Sequence, residues 1–147
     1  MAYDQFTRAL PMMLYRTLDA VMPRFRQIFS DFDLTEQQWR VLRVLWESER
    51  STLGELSAVT LLPAPSLVGI VDRLESRGLV ARKRSAEDRR KVYVQATTAG
   101  AELEAQIMPR VASAYADLKQ SVDANTWAAV LDGLRQISIE SGGERGE

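Results

Sequence analysis

Seven basic side chains lie close together in one short segment of this 147-residue chain. Residues 77 to 91 carry 7 basic and 2 acidic residues, whereas residues 1 to 76 carry 8 and 10, and residues 92 to 147 carry 4 and 8. Cations concentrated in this way attract a polyanion even though the net charge of the whole chain is −1, because local charge decides the partner. The seven are Arg77, Arg82, Lys83, Arg84, Arg89, Arg90 and Lys91.

The segment around this cluster has the alternation of a β-hairpin. From Gly78 to Thr97 the sequence GLVARKRSAEDRRKVYVQAT alternates apolar and polar residues on both sides of a polar Ser-Ala-Glu-Asp turn. A basic hairpin that follows a short helix is typical of proteins that bind nucleic acid, so we expect double-stranded DNA as the partner.

Two residue types that carry much of enzyme chemistry are absent. The chain has no Cys and no His, which excludes disulfides, zinc fingers, thiol redox sensing and histidine acid–base catalysis. It also lacks the glycine-rich phosphate loops GxxxxGK[ST] and GxGxxG. The pairs of carboxylates lie among charged residues and are interpreted as solvated surface. The sequence therefore predicts no enzyme activity, no cofactor and no metal site.

Length and composition favour one ordinary globular domain over residues 1–147. An apolar content of 46% and a charged content of 27% are typical of soluble proteins, and no linker divides the chain. No apolar run approaches the roughly 18 residues of a membrane span, and the N-terminus carries an acid where a signal peptide would be basic. We expect a cytoplasmic protein.

The elements that must position the basic hairpin are helices. A helix is predicted over residues 4 to 30, which Pro23 should bend or break. A second begins after Thr35, with Gln38 completing a capping box, and runs to about Ser48. A third, capped by Ser51 or Thr52, runs to about Leu62, and a fourth begins at Ala64-Pro65 and ends at Gly78.

The fourth helix has two distinct faces. Leu67, Ile70, Val71 and Leu74 fall on one face at core spacing, whereas Ser66, Gly69, Arg73 and Arg77 fall on another. Two short helices followed by a hairpin predict a winged helix-turn-helix over residues 34–97, within a mainly α (α+β) fold.

Helices at both ends flank this DNA-binding part. A fifth is predicted from about Thr98 with a kink at Pro109, and a sixth from near Asp123. Their apolar stripes, with that of the first helix, have little within one chain to cover them. Residues 1–33 and 98–147 are therefore predicted to form a homodimer, whose two-fold symmetry suits a palindromic operator.

Three segments together resemble the MarR family of bacterial transcriptional regulators. They are LTEQQWRVLRVL (34 to 45), PSLVGIVDRLESRGLV (65 to 80) and EDRRKVYVQATTAG (87 to 100). LPMMLYRTLDAVMPRFR and QQWRVLR resemble especially the subgroup named for the regulator of homoprotocatechuate degradation, the HpaR-like subgroup. The likeness covers nearly the whole chain.

The resemblance implies a role for each matching residue. Ser66 and Arg73 are assigned to the major groove and Arg90 to the minor groove, with Asp88 holding Arg90 in place. Phosphate contacts are assigned to Arg82, Lys83, Arg84, Arg89 and Lys91. Pro65, Gly69 and Arg77 complete the DNA-binding set. Alternatively, Arg73 pairs with Asp72 or Glu75, and Arg90 is a solvated turn residue.

One position departs from the pattern of the family. Relatives of the SlyA type that share the PSLV run carry an arginine where this chain has Gly69, so one direct base contact is missing here. We expect base recognition to depend more on Ser66, Arg73 and the shape of the DNA.

The resemblance also implies a small aromatic acid as effector, bound between the dimer helices and the DNA-binding part. The candidate ligand residues are Tyr15, Arg16, Trp39, Arg40 and Arg43. A guanidinium suits a carboxylate because two parallel hydrogen bonds can form. Alternatively, Trp39 is plain core and the two arginines of the second helix are surface charges.

Together these features predict a homodimeric, sequence-specific DNA-binding regulator, a repressor that a small phenolic acid releases from DNA. The alternative, from another class, is a winged-helix module that binds a partner protein through its long apolar helices and has no specific DNA target. The intact wing arginines favour the regulator.

Overall fold

The computed structural model describes residues 2–142, which form helices and one small three-stranded sheet. The helices are α1 (Asp4–Arg8), α2 (Leu10–Asp31), α3 (Glu36–Glu47), α4 (Leu53–Thr60), α5 (Ala64–Ser76), α6 (Thr98–Lys119) and α7 (Ala124–Gly142). The strands are β1 (Ser51–Thr52), β2 (Val80–Arg84) and β3 (Val92–Ala96). The predicted class, a mainly helical winged helix-turn-helix, is confirmed.

The helices that lead into the DNA-binding part begin where the sequence places their caps. Before α3, the Thr35 hydroxyl accepts from the Gln38 amide at 3.1 Å, and Gln38 accepts from the Thr35 amide at 3.0 Å. Thr52 and Glu55 form the same reciprocal pair before α4. Each box satisfies two of the four amides that a helix start leaves without partners.

The predicted end of α5 is also confirmed. Arg77 follows the last helical residue, and Gly78 then takes a left-handed conformation with φ of 72°. The Leu79 amide donates to the Leu74 carbonyl at 3.0 Å, and the Gly78 amide donates to the Glu75 carbonyl at 2.9 Å. This turn sends the chain directly from α5 into β2.

The three strands form an antiparallel sheet in the order β1-β3-β2. β2 and β3 are the predicted hairpin, with Arg82 opposite Val94 and Arg84 opposite Val92. β1 was not predicted, because its two residues carry no alternation and were assigned only a capping role. Ser51 pairs with Val94, which ties the start of α4 to the hairpin.

The core lies between α3, α4, α5 and the sheet. Val41, Leu42 and Leu45 of α3 are buried, as are the four predicted core residues of α5. The Phe29 ring, near the end of α2, stacks on the Trp39 ring with centroids 4.6 Å apart, and Trp39 meets Trp46 edge-on at 5.7 Å. This packing fixes the face of α5 that is left for solvent.

Gly100 lets α6 start close against the sheet. A Cβ at this position would overlap the carbonyl oxygen of Leu79, and the Trp46 indole donates to the Gly100 carbonyl at 3.1 Å. No larger residue fits this approach without displacing the backbone.

Several element boundaries differ from the prediction. The first helix breaks at Ala9, whose ψ is 137°, because Pro11 follows in the first turn of α2 and has no amide to continue the helix. Pro23 does not end α2, which continues to Asp31 with Ile28 and Phe29 buried beyond it. Their burial offsets the one lost hydrogen bond. Pro109, at which a kink is predicted, lies inside α6, which runs from Thr98 to Lys119.

The chain divides into two compact units, residues 1–111 and residues 112–147. The second unit holds the end of α6 and all of α7, where the Tyr115 and Trp127 rings meet edge-on at 5.6 Å. Asp123 accepts from the Thr126 amide and hydroxyl at 2.9 and 2.6 Å, which lowers the pKa of its carboxyl and caps α7.

No single helix in the described part of the chain is long and apolar enough to cross a membrane. α4 and α5 meet that criterion only as a pair, and this pair is bent by 108°.

Candidate nucleic-acid interface

α5 presents its polar face to solvent. Pro65, Ser66 and Arg73 are exposed on it, whereas Leu67 and Ile70 on the other face are buried. Among the described residues, no ion pair joins Arg73 to Asp72 or Glu75, and both of these carboxylates contact Arg82.

Gly69 lies on the same face in open space. Apart from neighbours in its own helix, no described atom lies within 4 Å of where a Cβ would be at Gly69. The glycine is therefore not required by packing, and it leaves the helix backbone accessible at the position where relatives of the SlyA type carry an arginine.

The loop between β2 and β3, residues 85–91, is organised around one buried hydroxyl. Ser85 Oγ accepts from the amides of Glu87 and Asp88, both at 3.2 Å, and its hydroxyl donates to Glu87 Oε2 at 2.8 Å. The bond from Ser85, the Glu87 backbone amide and the Arg50 charge hold the pKa of the Glu87 carboxyl below its ordinary value. These contacts close the loop, which we call the wing loop.

The wing loop presents three consecutive exposed cations, Arg89, Arg90 and Lys91. Asp88 Oδ1 accepts from the Arg90 backbone amide at 3.0 Å, and the Arg84 guanidinium donates to the Arg89 carbonyl at 2.9 Å. Asp88 thus contacts Arg90 as the resemblance implies, but at the main chain, where it fixes the turn from which the guanidinium extends.

Arg82 is the most constrained cation of the hairpin. Its guanidinium contacts Asp72 Oδ1 at 2.7 Å and Glu75 Oε1 at 3.0 Å, and donates weakly to the Val68 carbonyl at 3.5 Å. Its backbone amide donates to Glu75 Oε2 at 3.0 Å. The side chain, assigned above to phosphate, is held against α5.

Arg77 also has partners within the chain. Its guanidinium donates to the Asp33 carbonyl at 2.6 Å and to the Phe32 carbonyl at 3.1 Å, at the end of α2. Arg110 of α6 reaches the same turn, where it contacts Asp31 at 2.6 Å. The contact lowers the pKa of the Asp31 carboxyl. Arg77 therefore joins the end of α5 to the end of α2.

A cavity of about 380 Å³ lies beside the helix-turn-helix, between α3 and the end of α4. Arg40 on its wall contacts Glu36 at 3.2 Å and donates to the Thr60 carbonyl at 3.4 Å. Arg43 contacts Glu47 at 2.7 Å. The lining is Trp39, Arg40, Arg43, Val44, Val59, Thr60 and Leu61.

The cavity brings together three of the five predicted ligand residues: Trp39, Arg40 and Arg43. Tyr15 and Arg16 are exposed on α2 and do not line it. Trp39 both packs on Phe29 and lines the cavity, so the two interpretations of this residue are compatible.

Comparison with known proteins agrees with this geometry. The model of the MarR family matches residues 32–91, which hold α3, α4, α5, β2 and the wing loop. The homoprotocatechuate degradative operon repressor of Escherichia coli is 34% identical over 116 residues, which cover 79% of this chain and 78% of the repressor. This chain belongs to the MarR family. It is accordingly a transcriptional regulator, as the members of that family are.

Two solved structures of MarR-like proteins share the fold over most of the chain. NadR in complex with 4-hydroxyphenylacetate has a TM-score of 0.78 and 29% identity, covering 88% of this chain and 92% of NadR. The transcriptional repressor CouR, bound to a 23-mer DNA duplex, has a TM-score of 0.84 and 27% identity, covering 94% and 98%.

The winged helix-turn-helix, residues 34–97, contains contributors to the site that the sequence does not indicate. Arg50, outside the basic cluster, lies 4.1 Å from the centre of the Tyr93 ring of β3 and acts on the charge of Glu87. Val59 and Leu61 line the cavity although no polar chemistry marks them. Leu61 is 84% exposed and has φ of 59°, a combination that apolar periodicity does not indicate.

Proposed function

We propose that this MarR-family regulator is a homodimeric, sequence-specific DNA-binding repressor that a small aromatic acid releases from its operator. The observation that carries the proposal is the placement of two exposed features in one unit: the polar face of α5 and the three cations of the wing loop. Such a role needs no catalytic step, and it places the protein in the cytoplasm with the chromosome.

The proposed contacts divide between affinity and specificity. α5 enters the major groove with Ser66 and Arg73 towards base edges, and the wing loop brings Arg90 to the minor groove. Phosphate contacts, which add affinity without distinguishing sequences, come from Lys83, Arg84, Arg89 and Lys91. CouR bound to a DNA duplex supports this assignment, because its chain shares the fold over 94% of this one.

The proposed dimer forms through the flanking helices. Tyr3, Phe6, Met13 and Leu18 of the N-terminal segment are more than half exposed, as is Ile139 of α7. Large apolar side chains repeated along one segment are costly to leave in water, and a second copy of the chain would cover them. Two copies would also present two α5 helices to the halves of a palindromic operator.

The cavity between α3 and α4 is the proposed effector site. It offers an indole face and two guanidinium groups, which match the ring and the carboxylate of an aromatic acid. 4-Hydroxyphenylacetate bound to NadR, and the homoprotocatechuate repressor among the relatives, support this ligand class. Tyr15 and Arg16 do not line the cavity of their own chain. We propose that they contribute to the cavity of the other copy in the dimer, from the α2 helix.

A footprint of the purified protein on the DNA upstream of its own gene, at near-physiological salt, tests the DNA-binding proposal. We expect protection of a palindromic sequence. Protection that is blind to sequence and disappears with salt would contradict it and would favour the alternative, a winged-helix module that binds a partner protein.

The effector proposal is tested by the fluorescence of tryptophan during titration with 4-hydroxyphenylacetate. We expect saturable quenching, because Trp39 lines the cavity. Replacing Trp39 with Phe should remove most of that signal, whereas replacing Trp127 in the second unit should leave it. Equal loss from both replacements would place the ligand elsewhere.

A further inference from the structure

Four contacts of Arg82 join the β2–β3 hairpin to α5, the helix that is proposed to enter the major groove. Its guanidinium meets two carboxylates on successive turns of α5, Asp72 and Glu75, at 2.7 and 3.0 Å. The Glu75 carboxylate is shared between that guanidinium and the Arg82 backbone amide. We call this group of three residues, Arg82, Asp72 and Glu75, the wing clamp.

The contacts of the wing clamp hold the Arg82 side chain in one orientation against α5. Surface ion pairs contribute little to stability when both partners are long and mobile. Here the Arg82 side chain is only 25% exposed, and its strand position is set by pairing with Val94. A guanidinium that contacts two carboxylates at once is oriented in its plane, so its direction is defined.

The charge of the wing clamp also argues against a role in binding phosphate. Two carboxylates surround one guanidinium, so the group carries a net charge of about −1 and repels rather than attracts a DNA backbone. The Nη1 and Nη2 groups of Arg82 already contact these two acids, so a phosphate that approached the guanidinium would lie beside both carboxylates.

We propose that Arg82 is a positioning residue, which fixes the wing loop relative to α5 so that both can enter their grooves together. The proposal rests on the proposed DNA-binding function. Its physical basis is preorganisation: a wing that is already placed loses less conformational freedom when DNA binds. Asp72 and Glu75, although negatively charged, then promote DNA binding.

The effect of replacing Glu75 distinguishes the two roles by its sign. If charge alone mattered, Glu75→Gln would strengthen DNA binding, because it removes a negative charge next to a polyanion and frees Arg82 for phosphate. The dependence of affinity on salt would then become steeper by about 0.9 per added phosphate contact. If the clamp positions the wing, the same substitution weakens binding and does not steepen the salt dependence.

The experiment measures the affinity of Glu75→Gln, Asp72→Asn and Arg82→Lys for the operator duplex defined by the footprint, over a range of salt concentrations. We expect each to bind roughly three- to tenfold more weakly than the original protein, with an unchanged salt slope. Arg82→Lys is informative because it keeps the charge but cannot bridge both carboxylates. Glu49→Gln, which removes an exposed carboxylate outside the clamp, is the matched control and should not weaken binding.

Tighter binding by Glu75→Gln with a steeper slope, together with normal binding by Arg82→Lys, would overturn the proposal and return Arg82 to phosphate contact. Hydrogen exchange of the free protein separates this failure from failure of DNA binding itself. Glu75→Ala should accelerate exchange of the Arg82 amide and of β3 amides without any DNA present, because the amide loses its acceptor. Unchanged exchange in β2 and β3 would overturn the clamp even where operator binding holds.

Discussion

Among single side chains, the cations of the winged helix-turn-helix differ in their contacts within the chain. Arg90 extends from a turn that Asp88 fixes at the main chain, whereas Arg82 and Arg77 are occupied within the molecule. We therefore expect Arg90→Ala to weaken binding to the operator by about 1–3 kcal/mol and to reduce discrimination against unrelated DNA. Competition binding with operator and non-operator duplexes measures both effects.

Lys83→Ala provides the comparison for Arg90. Lys83 is exposed and follows Arg82 on the same strand, so its side chain points away from the clamp. Loss of a phosphate contact should weaken binding to all sequences alike and flatten the salt slope by about one unit. If Arg90→Ala also weakened binding to all DNA sequences alike, the assignment of Arg90 to the minor groove would be wrong.

Arg40 links the cavity to the turn after α4. Its guanidinium lies beside the cavity and donates to the Thr60 carbonyl, and its side chain is 44% exposed. We expect Arg40→Ala to abolish release by 4-hydroxyphenylacetate while operator affinity stays within about fivefold, because exposed pairs contribute only about 0.2–1 kcal/mol. Glu47→Gln, which disturbs the partner of Arg43 instead, tests the neighbouring arginine. If the acid still releases the Arg40 variant from DNA as it does the unchanged protein, the effector site does not include Arg40 and lies elsewhere.

Residue types and spacing identify the cations of the site but not their partners. The cluster at residues 77–91 stands out by local charge, and the turn residue Asp88 follows from the resemblance. The contact from Arg77 to Asp33 joins residues 44 apart in the sequence, and no local pattern encodes such a pairing. Arg77 and Arg82, which the resemblance assigns to DNA, are the two whose partners within the chain the sequence does not predict.

Between elements, hydrogen bonds from Arg77 connect the end of α5 to the end of α2. It satisfies two carbonyls that the end of α2 leaves without helical partners. We expect Arg77→Ala to lower the free energy of unfolding by about 1.5–3 kcal/mol, since hydrogen bonds to a charged donor are lost. Urea denaturation measures this change.

The salt dependence of DNA binding by the Arg77 variant completes that test. An unchanged slope is expected because the guanidinium is already engaged at the end of α2. A slope flattened by about one unit, with unchanged stability, would show that Arg77 contacts phosphate instead.

Element starts are predicted from the sequence better than element breaks. Thr35 and Thr52 predict the starts of α3 and α4, because each accepts a hydrogen bond from a backbone amide only three residues away. Such a capping pattern can be recognised from the local sequence alone. Pro23 is predicted to bend or break its helix, but α2 continues past it, because packing beyond the proline stabilises the helix more than one missing hydrogen bond destabilises it. β1 exists only through pairing with β3, which is distant in the sequence.

For the whole molecule, the exposed apolar residues of the N-terminal segment predict self-association. Met13 and Leu18 are 52% and 54% exposed. We expect the protein to sediment as a dimer and Leu18→Glu to shift it towards monomer, because a charge would have to be buried in the interface. Tyr3→Ser, at the edge of the same segment, should have a smaller effect. A monomer at micromolar concentration would contradict the dimer.

In the proposed regulator, ligand and DNA act on one equilibrium. An acid that binds the cavity more tightly in the free protein than in the DNA complex must lower DNA affinity by that same ratio. The cavity is formed by α3 and the end of α4, the helices that pack on α5. We therefore expect a small change in the cavity to reach α5, the proposed DNA-reading helix, through direct packing.

A titration of one operator duplex with the protein, in the absence and presence of saturating 4-hydroxyphenylacetate, tests the regulator most directly. We expect sequence-specific binding that the acid weakens by roughly 5- to 150-fold, the range of ordinary allosteric coupling. The acid should bind the preformed DNA complex more weakly by the same factor. Operator binding that is identical with and without the acid, despite saturation of the cavity, would contradict release by this ligand class.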